Sequence, residues 1–204
     1  MDAGLIRESK SPYATPVFYI KKKNGSFQPI FDYRKINAIT VKDTFPLPRI
    51  DTIIEGAWNK VKFSVLDLCN GYWNVCNSES SEDILAFKMT RGLYSPLVMP
   101  FGPTNAPTCM QRFMNHIFTP LRNKYPSYFE NYMDDCSIMT GEGKDDLHQQ
   151  IILEFLQILC ENHLFLRPTK CLFEKEEINF LGMWLNRHGI TIDPTKLAGL
   201  RDWP

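Results

Sequence analysis

The spacing of apolar and polar residues changes period several times along this 204-residue chain. Residues 61–68, VKFSVLDL, alternate well enough for a β-strand, and GYWNV is expected to continue it after a break. Residues 128–139, YFENYMDDCSIM, read as strand, acidic turn, strand. PYATPVFYI (12–20) enters a strand and FQPIFDY (27–33) supplies its partner. KKKNGS (21–26), a basic loop with an Asn-Gly turn signal, closes that hairpin over 17–33. LAFKMTRGLYSPLVM (85–99) is strand, turn, strand, and FPLPRIDTIIEGAW (45–58) carries two prolines and then a short helix. The period lengthens to that of a helix over 105–123, where Met110, Phe113, Met114 and Ile117 share a face. It does so again over 145–163, where Leu147, Ile151, Phe155, Ile158 and Leu159 form a stripe and acids crowd the first turn. EINFLGMWLN and GITID (177–193) form a last hairpin around Arg187-His188-Gly189. The expected class is α+β, helices packed on a mainly antiparallel sheet.

Composition changes this picture little. Apolar residues make up 44% and charged residues 23%, as in an ordinary globular protein. No apolar run approaches the roughly 18 residues that span a bilayer, and MDAGLIRESK lacks a signal-peptide pattern. An intracellular, non-secreted protein without a membrane partner is expected. The six cysteines form no C-x-x-C pair and no zinc-spaced Cys/His cluster, so they are expected to be small buried hydrophobes. Formal net charge is zero. Any basic surface for a polyanion must be local, or supplied by another part of a longer protein. LAGLRDWP begins a helix and stops, as though the chain were cut at Pro204.

The unusual feature is carboxylate placement. Asp134 and Asp135 stand side by side in NYMDDCSI, within a segment that otherwise favours a buried strand. Adjacent carboxylates repel, and burying either without a partner is costly. The pair is either the solvated tip of a hairpin or a divalent-metal site. Asp67 ends the strand SVLDL, also among apolar neighbours. If the 61–68 strand lies beside the 128–139 hairpin, three carboxylates meet, an arrangement favourable only around hard cations that prefer oxygen ligands.

Around these aspartates stand SPYATPVFYIKKKNGSFQPIFDYRKIN, FPLPRID, FSVLDLCNGYWNV, LVMPFGPTNAPTCMQRFMN, YMDD and FLGMWLNRHGITIDPTKL. In these segments and in their order, the chain resembles the fingers and palm of a reverse transcriptase of the gypsy-like LTR-retrotransposon type. The resemblance implies a fingers part over 1–60, a palm strand with the first aspartate over 61–83 and a fingers return over 84–104. It implies the rest of the palm over 105–193, the start of a truncated thumb over 194–204, and otherwise a missing thumb. The implied activity is RNA-directed DNA polymerisation, adding dNTPs to a primer on an RNA or DNA template, in a cytoplasmic particle or the nucleus. The thumb and RNase H regions of a parent polyprotein are the implied partners.

The resemblance also implies residue roles. Asp67, Asp134 and Asp135 would carry two Mg²⁺ ions, with Mn²⁺ a substitute and the backbone carbonyl of Leu68 a further ligand. Tyr72 would lie under the sugar of the incoming nucleotide and disfavour a 2′-hydroxyl; the other reading is a core aromatic, a part Trp73 could also play. Lys22 would reach the triphosphate, and Gln28, Cys69, Asn70, Gly71, Phe101 and Gly102 would complete the nucleotide site. Arg34 would contact the template strand or brace the fingers. Asn105 and Pro107 open the helix behind the template, Tyr132 and Met133, just before the aspartate pair, would contact the template-primer, and Phe180, Leu181, Gly182, Met183 and Trp184 resemble the hairpin that grips the primer.

The sequence departs from the family at Gln28, where an arginine is usual, at Cys69 and Asn70, at Ile84 and Leu85, and at Pro103. Pro29 is also expected to disturb its strand ladder. A catalytically silent remnant, or a scaffold that binds nucleic acid weakly, is the alternative these departures favour. A nuclease or phosphatase is disfavoured, because no histidine or lysine is placed as a general base near the aspartates.

Overall fold

The computed structural model describes residues 4–21, 25 and 27–192. In chain order its elements are β1 (Ile6–Glu8), β2 (Thr15–Lys21), β3 (Phe27–Phe31), α1 (Arg34–Ile39), α2 (Ile50–Glu55), β4 (Lys62–Asp67), α3 (Glu79–Ile84), β5 (Phe87–Met89) and β6 (Gly92–Pro96). Then follow α4 (Ala106–Lys124), β7 (Phe129–Tyr132), β8 (Asp135–Thr140), α5 (Asp145–Glu161), β9 (Leu172–Lys175), β10 (Glu177–Phe180), β11 (Met183–Asn186) and β12 (Gly189–Ile192). Short 3-10 helices stand at Gly71–Asn74 and Pro168–Lys170. The chain divides into two compact units: Met1–Phe45 with Asn70–Met110, and Pro46–Cys69 with Gln111–Pro204. Compactness therefore cuts the chain near 45, 70 and 110, whereas the sequence division lay at 60, 83 and 104. Residues 194–204, expected to begin a thumb, lie outside the described residues.

The first unit holds a five-stranded sheet in the order β1-β6-β5-β2-β3. Its β2–β5 pair is parallel and its other pairs are antiparallel. Pro29 does not disturb the ladder as expected. The register runs unbroken through Tyr19↔Pro29, because β3 is an edge strand, where a residue without an N–H is tolerated. Tyr33 anchors the core: it is almost fully buried and its hydroxyl donates to Leu85 O at 2.9 Å. Gly102 has φ +115°, and a Cβ there would lie 3.1 Å from the Tyr33 ring, so close approach requires glycine.

The second unit contains a four-stranded antiparallel sheet, β7-β8-β4-β9, and a separate sheet β10-β11-β12. Strands β4 and β8 pair from Lys62↔Thr140 to Asp67↔Asp135. Since side chains alternate faces, Phe63, Val65 and Asp67 share one face with Met139, Ser137 and Asp135. Phe63 and Met139 pack there with Ile53, Ile54 and Ala57, and with Ile178, Phe180 and Leu185. The opposite face meets the helices, where Phe118 and Phe155 stack at 4.9 Å and Phe129 lies 5.1 Å from Phe118. Each of these fully buried rings contributes about 1.5–3 kcal/mol of transfer free energy.

Several expectations are corrected. GYWNV does not extend β4. Asn70 (φ 67°) and Gly71 (φ 46°) both adopt left-handed backbone and turn the chain into a 3-10 helix. EINFLGMWLN is two strands, because Leu181 (φ 51°) and Gly182 (φ 81°) make a turn between β10 and β11. On α5 the buried positions are His148, Ile151, Ile152, Phe155 and Leu159, while Leu147 and Ile158 are only half-buried flanks. Among the cysteines only Cys136 is buried; Cys76 and Cys160 are exposed.

Candidate active site

The site begins at one end of the β4–β8 pair. Asp67, the last residue of β4, stands opposite Asp135, the first of β8. Tyr132 at the end of β7 also pairs with Asp135, which leaves Met133 and Asp134 as a two-residue hairpin turn. Short antiparallel hairpins need left-handed backbone in such turns. Met133 supplies it with φ 52°, at a strain of about 1–2 kcal/mol for a non-glycine residue. Side chains hold it there: Met133 N–H donates to Gln111 Oε1 at 2.7 Å, and Met133 O accepts from Asn131 Nδ2 at 3.2 Å.

The electrostatics are unequal among the three aspartates. Burial raises Asp135 to about 6, and repulsion from Asp134 and Asp67 adds to the rise while Lys170 opposes it. Asp67 is mostly buried and faces two cations, Lys170 Nζ at 3.0 Å from Oδ2 and Arg167 Nη1 at 3.6 Å from Oδ1. Its backbone carbonyl accepts from Arg167 N at 2.9 Å. Its Oδ1 is buried and accepts no hydrogen bond among the described residues. Leu68 is buried and bridges to Leu166; the flanking hydrogen bonds are made by Asp67 O and by Cys69 N, which donates to Phe165 O at 2.7 Å.

The expected convergence of three carboxylates on one point is only partly met. No group of three His, Cys, Asp or Glu side chains arranged to hold a metal ion occurs among the described residues. Asp67 is drawn instead toward Lys170 and Arg167. The donors nevertheless suit a hard divalent cation. They are all oxygen, one buried carboxylate oxygen accepts no hydrogen bond among the described residues, and burial together with repulsion from Asp134 and Asp67 raises Asp135.

The remaining sequence candidates fall in different surroundings. In the first unit the Tyr72 and Phe101 rings lie 4.8 Å apart, Tyr72 is half-buried and Trp73 is exposed, so neither is a core aromatic. Gln28 is half-buried on edge strand β3, opposite Ile20. Arg34 is 86% exposed and pairs with Asp32 through Nε and Nη2, both at 2.7 Å. That guanidinium holds Asp32 down at about 2. Asn105 is engaged inside its unit, its Oδ1 accepting from Asp43 N at 3.0 Å and its Nδ2 donating to Val41 O at 2.9 Å. Pro107 lies in the first turn of α4. Cys69 Sγ donates to Leu166 O at 3.3 Å. Phe180 is core, Leu181 and Gly182 form the β10–β11 turn, and Met183 and Trp184 are half-buried on β11. Lys22 lies outside the described residues.

Sequence reasoning missed Lys170 and Arg167, and it missed Gln111, Asn131 and Arg122 behind the turn. One signal was available for Gln111. It stands next to Met110 and three residues before Met114, both on the face that the helical spacing marks as apolar.

Known proteins extend the picture. The family described as reverse transcriptase (RNA-dependent DNA polymerase) matches residues 20–197. The chain is 36% identical to the retrovirus-related Pol polyprotein from transposon 297 of Drosophila melanogaster, covering all of this chain and 19% of that protein. It is 31% identical to the transposon Tf2-3 polyprotein of Schizosaccharomyces pombe, again over the whole chain and 15% of the relative. The chain thus spans less than a fifth of the length of these polyproteins. Among solved structures, the foamy viral protease-reverse transcriptase dRH in complex with ds DNA superposes with a TM-score of 0.89 at 20% identity, over 100% of this chain and 35% of that one. The foamy viral protease-reverse transcriptase in complex with RNA/DNA hybrid gives 0.85 at 21% identity, over 98% and 26%. These two likenesses establish a shared fold.

Proposed function

This chain belongs to the reverse transcriptase (RNA-dependent DNA polymerase) family, and from that premise we propose that it adds deoxynucleotides to the 3′ end of a primer on an RNA or DNA template. The observation that carries the reading is the pairing of Asp67 with Asp135 at the open end of β4 and β8, with Asp134 next to it in the turn. Asp67, Asp134, Asp135 and the Leu68 carbonyl would hold two divalent ions, Mg²⁺ or Mn²⁺. When bound, these ions supply activation of the primer 3′-hydroxyl and neutralisation of the leaving pyrophosphate.

The chain's own residues do the rest. β4 and β8 carry two of the carboxylates on rigid, hydrogen-bonded strands, so their separation is set by the ladder rather than by a loop. Lys170 and Arg167 hold the Asp67 carboxylate by charge. Burial and the neighbouring carboxylates raise Asp135 to about 6, so it would be mostly ionised, and available to a cation, at neutral pH. Tyr72, with Phe101 against its ring, would lie under the sugar of the incoming nucleotide. Lys22 would reach its triphosphate, and Gln28 would offer an amide where a guanidinium is usual, with fewer donors to the phosphates. The hairpin of β10 and β11 would carry the primer. The nucleic-acid partners draw support from the solved relatives with this fold, whose complexes contain an RNA/DNA hybrid and double-stranded DNA.

Primer extension on poly(rA)/oligo(dT) with Mg²⁺ or Mn²⁺, run beside Asp134→Asn, tests the reading. Extension by the parent chain that disappears in the variant is the expected result. Extension that survives in Asp134→Asn would overturn it. Silence from both, persisting when thumb and RNase H segments of a relative are appended, would favour a catalytically silent remnant.

A further inference from the structure

Behind the Met133–Asp134 turn lies a set of polar side chains that the reaction itself does not use. Neither backbone polar group of Met133 is left to water alone: Gln111 accepts its N–H and Asn131 donates to its carbonyl. Gln111 and Asn131 are both fully buried. Gln111 Nε2 donates to Asn115 Oδ1 at 2.9 Å, and Arg122 Nη1 donates to the same oxygen at 3.2 Å. Arg122 Nη2 also donates to Asn131 Oδ1.

The orientation of every amide is consistent with the groups at the two ends of the network, a guanidinium and a backbone N–H that only donate and a backbone carbonyl that only accepts. A guanidinium has no acceptor, so Arg122 turns the oxygens of Asn115 and Asn131 toward itself. Asn131 must then present Nδ2 to Met133 O. Asn115, accepting on Oδ1, draws Gln111 Nε2, which leaves Gln111 Oε1 facing Met133 N–H. Arg122 is thereby joined, through three amides, to both polar groups of the Met133 backbone directly before Asp134.

We propose that Arg122, Asn115, Asn131 and Gln111 form a positioning relay that sets the divalent-cation affinity of Asp134 and Asp135. The inference rests on the polymerase reading of those aspartates. Partners behind a metal ligand commonly change affinity by about 10–100-fold when removed. The sign of the effect separates positioning from simple electrostatics. Removing a positive charge near a cation site would by itself tighten cation binding. A relay whose loss lets the turn rotate would weaken it.

The test is Mn²⁺ binding to the whole chain, read by the electron paramagnetic resonance signal of free Mn²⁺, without nucleic acid or turnover. The variants are Arg122→Met, Gln111→Met, Asp134→Asn and Thr140→Val. Thr140→Val removes a buried hydrogen bond elsewhere in the same sheet and so controls for general loosening. Binding weakened about tenfold or more in Arg122→Met and Gln111→Met, with Thr140→Val at the parent's affinity, is the expected pattern. Unchanged or tighter binding in Arg122→Met would overturn the relay, as would equal weakening in Thr140→Val. Should Gln111→Met fail to fold, Arg122→Met carries the decision, since its side chain is only half-buried. Parent-like binding by Asp134→Asn would instead overturn the metal reading, and the relay with it.

Discussion

Strands β4 and β8 carry a polar centre near each end, on opposite faces, and the two are built differently. Near the Lys62↔Thr140 end, His148 of α5 is buried with both ring nitrogens matched, Nε2 at 2.8 Å from Ser64 Oγ and Nδ1 at 2.9 Å from Thr140 Oγ1. Ser64 Oγ also accepts from Glu174 N at 3.0 Å, where the β4–β9 register is irregular. Ser64 can therefore donate to Nε2 while Nδ1–H donates to Thr140, and burial favours the neutral ring. At the other end, Asp67 and Asp135 bring negative charge together, and the buried Asp67 Oδ1 accepts no hydrogen bond among the described residues, with Arg167 Nη1 3.6 Å away. A polar centre with matched hydrogen bonds ties elements together; one that gathers like charge costs stability unless a cation offsets it. Both centres are polar and largely buried, so burial alone would not tell them apart.

The largest effect expected from breaking this contrast is on catalysis. Asp67→Asn should lower primer extension by at least about 10²–10³-fold, as removal of a group that organises transition-state charge does. The same variant loses the ion pairs with Lys170 and Arg167 but sheds repulsion with Asp135, so its melting temperature should stay close to the parent's. A single-turnover assay beside a thermal melt would read both, and a melt lowered as much as activity would erase the contrast.

Ser64→Ala should do the reverse. It leaves His148 Nε2 and Glu174 N without their partner, at about 1–3 kcal/mol of stability. Denaturant titration should register that loss, while extension by the folded fraction stays near that of the parent.

The two centres should also respond oppositely to pH. Asp135 is raised from the ordinary 3.8 to about 6 in the fold, so the folded chain binds more protons than the unfolded one between those values. Stability of the metal-free chain from this group falls as pH rises from about 4 to about 6. His148 is lowered by burial, so its contribution is present above the ordinary histidine value and is lost as pH falls below it. Melting temperatures between pH 4 and 7.5 should rise for Asp135→Asn relative to the parent as pH increases through that window. A constant offset would mean that Asp135 titrates normally.

The smallest effect should come from Arg34→Ala. Its pair with Asp32 is exposed on the Arg34 side and local in sequence, so stability should change little. A larger loss in a denaturant titration would give that pair a structural role it does not have by geometry.

Much of this was legible in advance where the signal is local. Alternation in VKFSVLDL marked β4, and YMDD marked a hairpin between β-prone flanks, because period-2 patterning and short turns are properties of neighbouring residues. GYWNV was misread because its apolar residues suit a strand while two successive left-handed residues, Asn70 and Gly71, forbid one. The stripe on α5 held at Ile151, Phe155 and Leu159, while Leu147 and Ile158 flank it and His148 and Ile152 are buried in addition. His148, a polar residue by type, is buried because Ser64 and Thr140 meet it from strands 84 and 8 residues away. The cysteine expectation held only at Cys136: Cys69, Cys109 and Cys171 are half-buried and Cys76 and Cys160 exposed, since burial is set by the packing of each element and not by residue type.

From the sequence alone follow the α+β class, the three aspartates and the family, since each rests on residue type and order. What only the tertiary structure decided is which charges and amides face one another. Lys170 lies 103 residues from Asp67, and Gln111 lies 22 residues before Met133. Electrostatic and hydrogen-bond energies depend on separation and orientation in space, and neither quantity is written in the order of the residues.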